Sequence, residues 1–406
     1  PRPRAARARE AAREVRPAPF SPRYADMTKP ELKAKIKEVK AEIEDLAMAV
    51  NKKLKENTVA SPFAEDTGTQ PGCASAKLKA KRTLRGHFGK IVSMTWMPDD
   101  LRTLTASQDG NVIIWDCLEA RKKFLMPLKS AWVMFAEASQ DDKNMCASGG
   151  LDNVCTVWQL PTAADPAGKL LFSLEGHEGY VCNGRFLGDN KLLTTSGDNS
   201  ASLWDMNALP EGKDIDMRGF IFEGHDKDVT SCDFKPGAFK EFVTSSADGS
   251  MMTWAIGQKT PTSTMRLYQA DLDAGMKRGQ TKTLIDVNKV KYQSNGFGIG
   301  VATEAMGSFL YDVRTLGAVN TFVGSSAESK SIPKYSCAFS KSGRLMFVGT
   351  EDNTIEVWDT FKADAGSTLQ SLTMNHDNRI TEVCVPTTGC VCASASWDTT
   401  GSIIQP

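Results

Sequence analysis

The sequence predicts an all-β, seven-bladed propeller that is preceded by an N-terminal coiled-coil α-helix. A Gly-His pair recurs along the chain at intervals that are multiples of a unit near the roughly 40–45 residues of a propeller blade. An Asp also precedes a Trp by six residues in five separate units. A heptad of apolar residues near the N-terminus predicts the helix.

The propeller units have recognisable beginnings and ends. They open at Gly86-His87, Gly176-His177, Gly224-His225 and Asn375-His376. Five of them close at a Trp that follows an Asp by six residues, and these pairs are Asp109 and Trp115, Asp152 and Trp158, Asp198 and Trp204, Asp248 and Trp254, and Asp352 and Trp358. The segments between and before these pairs alternate or are apolar, as strands do, so each Asp is predicted to lie in a hairpin turn.

Two diverged units complete the ring. One ends at Tyr311-Asp312 and has Ala305 in place of the turn Asp, and the last has Ile404 in place of the Trp. The strand-like segment at 81–84 would supply the missing outer strand of the last blade and close the ring. The propeller is therefore expected over 81–406, with a polar surface insertion at about 257–282.

These units resemble the WD-repeat family, in which a His, a strand Ser or Thr, the turn Asp and the Trp form a hydrogen-bonded chain within each blade. A buried imidazole and a buried indole N–H each need a partner, and this chain supplies one. The resemblance implies structural tetrads at His87, Ser107, Asp109 and Trp115, at His177, Ser196, Asp198 and Trp204, and at His225, Ser246, Asp248 and Trp254.

Residues 28–57 carry the helix prediction. Thr28-Lys29-Pro30-Glu31 is typical of a helix N-terminus. Apolar residues then recur in alternating steps of four and three, at Leu32, Ile36, Val39, Ile43, Leu46 and Val50. This narrow seam favours a two-stranded coiled coil. The alternative is an amphipathic helix that packs on its own propeller, which normally has a wider apolar stripe.

The segments around this helix are expected to lack regular structure. Residues 1–27 are rich in Arg, Ala and Pro and are predicted to be disordered. They could be a transit peptide, or an upstream artefact if Met27 is the initiator. Residues 58–80 contain Pro and Gly and are predicted to be a linker.

The sequence gives no support for catalysis, a cofactor or a metal site. All four His residues occupy the opening positions of predicted blades, so an acid–base or metal site would have to borrow one of them. No phosphate-binding loop is present. Basic and acidic residues balance at 49 each, which gives no field for nucleic acid. No transmembrane run or secretory signal is found, and the unpaired cysteine spacing suits an intracellular protein.

Several strings narrow the resemblance to the β subunit of heterotrimeric G proteins. They are KRTLRGH at 81–87, ASQDG at 106–110, SAWVM at 130–134, GGLDN at 149–153, FSKSGRL at 339–345 and HDNR at 376–379. The resemblance implies that the helix seam pairs with a γ subunit. It also implies that one propeller face binds an α subunit, effectors or a receptor complex, and that the protein is cytoplasmic, reaching the inner face of the plasma membrane only through lipidated partners.

Carried over position by position, the resemblance implies α-subunit and effector contacts at Lys90, Ile113, Trp132, Met134, Leu151, Asn153, Tyr180, Asp228 and Trp397. The chain departs from the family pattern at three positions, where the family usually has larger or basic residues. They are Val92, Asn111 and Thr230. Trp132 and Leu151 could instead be core residues. The alternative function is a WD-repeat scaffold of another kind, such as a kinase-anchoring or ubiquitin-ligase adaptor propeller, which would not need the heptad helix.

Overall fold

A computed structural model describes residues 78–405, except 129, 142–143, 163–167, 189, 209–213, 217–218, 239, 268–283, 305–306, 324–331, 362–367, 374–375 and 388–390. The predicted disordered segment 1–27 and the predicted helix 28–57 lie outside the described residues. Most of the predicted linker 58–80 does so too, but its last two residues belong to a strand.

Seven sheets follow one another along the chain, each with four antiparallel strands, as predicted for a seven-bladed propeller. The first strands of neighbouring blades contact one another around a closed ring, so they line the centre. Each blade then extends outward through its second, third and fourth strands. The chain therefore returns to the centre seven times, once for each blade.

The first four blades have the following strands. Blade 1 consists of β2 (Ile91–Trp96), β3 (Arg102–Ser107), β4 (Asn111–Asp116) and β5 (Arg121–Pro127). Blade 2 consists of β6 (Val133–Ala138), β7 (Met145–Gly150), β8 (Cys155–Gln159) and β9 (Lys169–Glu175). Blade 3 consists of β10 (Val181–Leu187), β11 (Lys191–Ser196), β12 (Ser200–Asp205) and β14 (Phe220–Glu223). Blade 4 consists of β15 (Val229–Phe234), β16 (Glu241–Ser246), β17 (Ser250–Ala255) and β18 (Ser263–Arg266).

The remaining blades complete the ring. Blade 5 consists of β19 (Val287–Tyr292), β20 (Gly298–Thr303), β21 (Ser308–Asp312) and β22 (Gly317–Phe322). Blade 6 consists of β23 (Lys334–Phe339), β24 (Leu345–Thr350), β25 (Thr354–Asp359) and β26 (Thr368–Thr373). Blade 7 consists of β27 (Ile380–Cys384), β28 (Cys392–Ser396), β29 (Thr400–Gln405) and the N-terminal strand β1 (Lys79–Arg85).

The ring closes through β1, which pairs with β29 from Lys79 opposite Gln405 to Arg85 opposite Thr400. The predicted closing strand at 81–84 is thus confirmed, and it extends two residues further toward the N-terminus. Leu84 is fully buried at this joint, which anchors the two ends of the propeller by apolar packing as well as by backbone hydrogen bonds.

The predicted insertion at 257–282 is wrong in its first part. Residues Ser263–Arg266 form the outer strand of blade 4, and Met265 and Leu267 are buried. Polar residues around this strand face outward from the last strand of a blade, where polarity does not indicate a loop. The rest of the predicted insertion, from 268 onward, lies outside the described residues.

Blade 2 has a fifth strand, because β13 (Asp214–Asp216) pairs in parallel with β9. A short 3-10 helix, Met206–Ala208, precedes it.

Separate apolar clusters hold the blades together, one between each pair of neighbours. Between blades 7 and 1, for example, Leu84 and Ile403 pack with Ile91, Ile113 and Trp115. The eight described cysteines are unpaired, and most are buried within the propeller. Burial raises the pKa of the Cys117 thiol to about 11, so this residue behaves as a small apolar side chain.

Hydrogen-bonded chains within the blades follow the predicted pattern with one correction. In blade 1, His87 Nδ1 lies 2.9 Å from Asp109 Oδ2 and His87 Nε2 lies 2.8 Å from Thr105 Oγ1, while the Trp115 indole N–H donates to the same Oγ1 at 2.7 Å. The carboxylate fixes the Nδ1–H tautomer, so the Thr105 hydroxyl donates to Nε2. Ser107, which was predicted for this role, instead accepts the backbone N–H of Asp109.

The same correction applies to the other two complete tetrads. Thr194 joins His177 to Trp204, and Thr244 joins His225 to Trp254, two residues before the predicted Ser196 and Ser246. Residues two apart on a strand share one face, so the sequence alone could not separate the two hydroxyls. Blade 7 keeps part of the chain, since His376 bonds Asp398 and Ser394 while Ile404 occupies the Trp position.

The turn aspartates also anchor the loops that lead into blades 1, 3, 4 and 7. Asp109 accepts the backbone N–H of Phe88, and Asp398 accepts that of Asp377. Burial by itself would raise the pKa of the Asp398 carboxyl, but the hydrogen bonds from His376 and Thr400 outweigh it and lower the pKa to about 2. The carboxylate therefore stays ionised and holds the loop against the hairpin turn.

Blade 6 uses a different solution, which the sequence analysis missed. Lys334 is buried at the start of β23, in the strand position that Ile91 occupies in blade 1. Its ammonium lies 2.8 Å from Glu356 Oε1, and the other carboxylate oxygen of Glu356 accepts the Trp358 indole N–H at 3.2 Å. A buried ion pair thus satisfies the indole that a Thr hydroxyl satisfies in blades 1, 3 and 4.

The corrected tetrad predicts that Thr105→Val is more destabilising than Ser107→Ala. Valine keeps the shape of threonine but leaves two buried groups, the indole N–H and the imidazole Nε2, without a partner, at about 1–3 kcal/mol each. Ser107→Ala removes only one acceptor for a backbone N–H. Urea unfolding followed by tryptophan fluorescence measures both variants, and an equal or larger loss for Ser107→Ala would contradict the corrected assignment.

The buried ion pair of blade 6 predicts that removing one partner alone destabilises the fold more than removing both charges together. Lys334→Met should lower the free energy of unfolding by about 3–5 kcal/mol, because Glu356 then keeps a buried charge without a cation. Lys334→Met combined with Glu356→Gln should recover much of that loss, since the amide oxygen can still accept the indole N–H. Lys123→Met, at an exposed ion pair, is the control and should change the unfolding free energy by less than about 0.5 kcal/mol. A double variant as unstable as the single one would show that no such pairing operates.

Candidate protein-binding face

One backbone hydrogen bond recurs at the same end of all seven blades. It runs from the N–H of the residue before the turn position to the C=O of the residue directly before the first strand of the blade. In blade 1 the pair is Gln108 and Lys90, joined at 2.9 Å, and in blade 2 it is Leu151 and Trp132, joined at 3.0 Å. The remaining pairs are Gly197 and Tyr180, Ala247 and Asp228, Glu304 and Asp286, Glu351 and Pro333, and Trp397 and Arg379.

These fourteen residues form a ring around one end of the central channel, and we call it the rim. Because the backbone positions repeat, the side chains of all seven pairs belong to one face of the propeller. Six of the residues implied by the family resemblance are rim residues by this criterion. They are Lys90, Trp132, Leu151, Tyr180, Asp228 and Trp397. Met134 lies one residue into β6, and Asn153 lies in the turn after Leu151.

An exposed apolar cluster lies in blade 2 of this face. Trp132 is 58% exposed, Leu151 is 50% exposed and Met134 is 37% exposed. The alternative that Trp132 and Leu151 are core residues is therefore wrong. Blade 2 has no His in the loop that leads into it, and Trp132 takes no part in a tetrad. Its side chain is free to serve as a contact residue.

Blades 3 and 4 present a polar pair beside this cluster. The Tyr180 hydroxyl donates to Asp228 Oδ2 at 2.5 Å and so joins the two blades across the rim. Burial raises the pKa of Tyr180, and the neighbouring Asp228 carboxylate adds to that rise, so the phenol stays protonated as the donor. A side chain at Gly197 would collide with the Tyr180 ring at about 2.5 Å, which explains the glycine at that rim position.

Ile113 does not belong to this face. It is 1% exposed and packs between blades 1 and 7 with Ile91 and Ile403. The prediction of an α-subunit contact at Ile113 is therefore wrong. Side chains alternate along β4, and the residue at this position points into the contact between neighbouring blades.

Two side chains of this face, Arg379 and Phe88, were missed by the sequence analysis. Trp397 carries the Lys90 ammonium 3.7 Å from its ring centre and the Arg379 guanidinium carbon 3.2 Å from it. Arg379 directly precedes β27 as Lys90 directly precedes β2, so the repeat itself could have identified it. Phe88, which is 92% exposed, follows His87 in the same end loop of blade 1.

The charge on the rim is unevenly distributed. Blades 7 and 1 contribute the cations Arg379 and Lys90, and blade 2 contributes the apolar cluster. The carboxylates come from blades 4 to 6, at Asp228, Asp286, Glu304 and Glu351. An apolar centre flanked by charge of opposite sign on either side is typical of a surface that recognises one protein partner in one orientation.

Two other kinds of site are not found among the described residues. No group of three or more His, Cys, Asp or Glu side chains among them is arranged to hold a metal ion. Within the same part of the chain, no helix has the length and apolar character needed to cross a membrane. The predicted γ-binding seam lies outside the described residues.

Comparison with known proteins gives one consistent result. The family model for the G protein beta WD-40 repeat protein matches residues 33–405. A guanine nucleotide-binding protein subunit beta from Zea mays is 32% identical over 78% of this chain and 80% of its own length. The Arabidopsis thaliana subunit beta is 31% identical over 85% of this chain and 88% of its own length, and subunit beta-1 from Nicotiana tabacum is 32% identical over 84% and 88%. The chain therefore belongs to the G protein beta family of WD-repeat propellers.

Proposed function

We propose that this protein is a G protein β subunit that transduces receptor signals by binding other proteins. Its rim would bind the switch region of an α subunit or, when free, effectors. Its N-terminal seam would bind a γ subunit as a two-stranded coiled coil. The protein would be cytoplasmic and would reach the inner face of the plasma membrane through lipidated partners.

The exposed apolar cluster of blade 2 is the observation that carries the α-subunit part of this proposal. Exposing large apolar side chains such as Trp132 and Leu151 to water costs free energy, and clustering them on the surface of an isolated monomer does not reduce that cost. Aromatic residues surrounded by polar ones are the usual centres of protein interfaces. Family membership makes an α subunit the first candidate for the partner.

The γ-subunit part rests on different support. The apolar seam from Leu32 to Val50 keeps a strict heptad with β-branched residues at Ile36, Ile43 and Val50. This pattern favours a dimer of helices over packing on a broad surface. The family model begins at residue 33 and so covers the seam residues from Ile36 to Val50.

Trp132→Ala should abolish capture of a purified α subunit without unfolding the propeller. Truncating a central interface aromatic costs about 2 kcal/mol or more, which is roughly a thirtyfold loss of affinity. Because the side chain is largely exposed, the melting temperature should change little. Surface plasmon resonance and thermal denaturation measure the two effects, and Leu125→Ala, at an equally exposed apolar residue on the outer strand of blade 1, is the matched control.

The opposite result would contradict the proposed α-subunit contact at Trp132. If Trp132→Ala lowers the melting temperature strongly while the folded fraction binds the α subunit with unchanged affinity, Trp132 supports the fold and the proposed contact is wrong. Ile43→Asp serves as a second arm, because it places a charge in the seam and should release a small partner chain while leaving the rim intact. Glu44→Gln, outside the seam, is its control.

A further inference from the structure

The central channel contains a cavity of about 230 Å³ that is lined by first strands of several blades. Asp100, Gln140 and Thr387, which follow these strands, also line it, whereas the rim residues precede the strands. The cavity therefore lies toward the end of the channel opposite the rim. Its volume is below the roughly 300–1,000 Å³ of sites for drug-sized ligands, so it suits a smaller molecule. Three cations and three carboxylates line it, namely Arg185, Lys289, Lys291, Asp100, Glu137 and Glu382.

Both lysines of the cavity are paired with carboxylates. Lys291 Nζ donates to Asp233 Oδ1 of the neighbouring blade 4 at 2.9 Å. Lys289 Nζ donates to Glu382 Oε2 at 2.8 Å, which joins blade 5 to blade 7, and the other oxygen of Glu382 accepts the Ser336 hydroxyl at 3.1 Å. Since each lysine is already neutralised by its partner, the cavity has no surplus positive charge for a multiply charged anion such as inorganic phosphate.

Two side chains of blade 3 have hydrogen-bonding groups that the fold does not use. Asn183 lines the cavity and is only 8% exposed, yet its amide makes no hydrogen bond with any described residue. Arg185 donates from Nη1 to Glu137 Oε1 at 2.5 Å, but its buried Nε makes no hydrogen bond, although Asp233 Oδ1 lies 3.5 Å away. Residues two apart on a strand share one side, so both groups face the same space. Native proteins rarely bury such groups without a partner, which indicates a bound molecule.

A hydrogen-bond acceptor lies beside these donors. Glu137 gives Oε1 to Arg185, and no hydrogen bond within the described part of the chain uses its Oε2. Across the channel, at the corresponding position of the first strands, blades 6, 7 and 1 contribute uncharged side chains. They are Ala338, Cys384 and Thr95. The cavity thus combines a guanidinium and an amide with a neighbouring carboxylate oxygen, and faces them with an uncharged wall.

We propose that this cavity binds a free α-amino acid with a small apolar side chain. The ligand's carboxylate accepts N–H groups from Arg185 and Asn183, its ammonium donates to Glu137, and its side chain lies against the uncharged wall. A guanidinium can offer two parallel N–H groups to one carboxylate, which a lysine cannot. A zwitterion uses both the donors and the acceptor, whereas a simple anion or cation leaves one of them unused. The inference goes beyond the proposed function, because the cavity lies away from the rim.

Isothermal titration calorimetry of the full chain tests the proposal, with L-alanine, L-valine and L-leucine as separate probes. At least one of them should bind. Two analogues of the tightest binder then identify the groups that are recognised, since its amide lacks the carboxylate and its deaminated acid lacks the ammonium. Each analogue should bind about tenfold or more weakly, because it loses a charge-assisted contact.

Two variants test the assigned contacts. Asn183→Ala removes an amide that makes no hydrogen bond with any other described residue, so it should weaken amino-acid binding about tenfold while the melting temperature does not fall. Arg185→Lys keeps the positive charge and removes the parallel N–H groups, and it should weaken binding by a similar factor. Asn207→Ala, at an exposed asparagine of the 3-10 helix, is the matched control and should bind like the unsubstituted protein.

The proposal is overturned if none of the three amino acids binds, because the cavity then takes up water only. It is also overturned if either analogue binds as tightly as the amino acid, or if Asn183→Ala and Arg185→Lys both retain full affinity. Circular dichroism of each variant shows whether a loss of binding is a loss of fold. Trp132→Ala should bind the amino acid normally, and a loss of affinity in that variant would place the site on the rim and contradict the assignment to the channel.

Discussion

The functional face depends on how each blade joins its leading loop to its hairpin turn. A backbone hydrogen bond makes this connection in all seven blades, whether or not the blade has a His or a turn Asp. In blades 1, 3, 4 and 7 the ionised turn carboxylate reinforces it by accepting both the imidazole N–H and the next backbone N–H. Side chains beside this joint are therefore held in fixed positions while their identities stay free to vary.

The residues that hold the fold together are therefore different from the rim residues that contact a partner. The tetrads can be replaced, as the Lys334–Glu356 pair of blade 6 shows, provided that the buried indole keeps an acceptor. The rim side chains do not have to supply an acceptor for a buried indole. One sector can hold Trp132, another Asp228 and a third Arg379 without any change in the backbone that positions them. Partner recognition can thus differ between family members that share one fold.

Much of the fold could be predicted because strand spacing follows directly from a six-residue Asp-to-Trp interval. Side-chain orientation was harder to predict. Thr105 and Ser107 lie on one face of β3, and only the distance to the Trp115 indole shows which hydroxyl completes the chain. Ile113 was assigned to the partner face by resemblance, yet alternation along β4 buries it between two blades. Lys90 and Arg379 reach the Trp397 ring from two different blades, and no local pattern in the sequence reports contacts of that range.

The central claim is that this propeller works as the β subunit of a three-part signalling complex, and co-purification of the tagged full chain from its native lysate tests it most directly. Mass spectrometry should identify a nucleotide-binding α subunit and a small prenylated chain together, each in near-equal amount with the bait. Recovery of a kinase or of ubiquitin-ligase components in their place, with retention unaffected by deletion of residues 28–57, would contradict the account and support a WD-repeat adaptor of another kind.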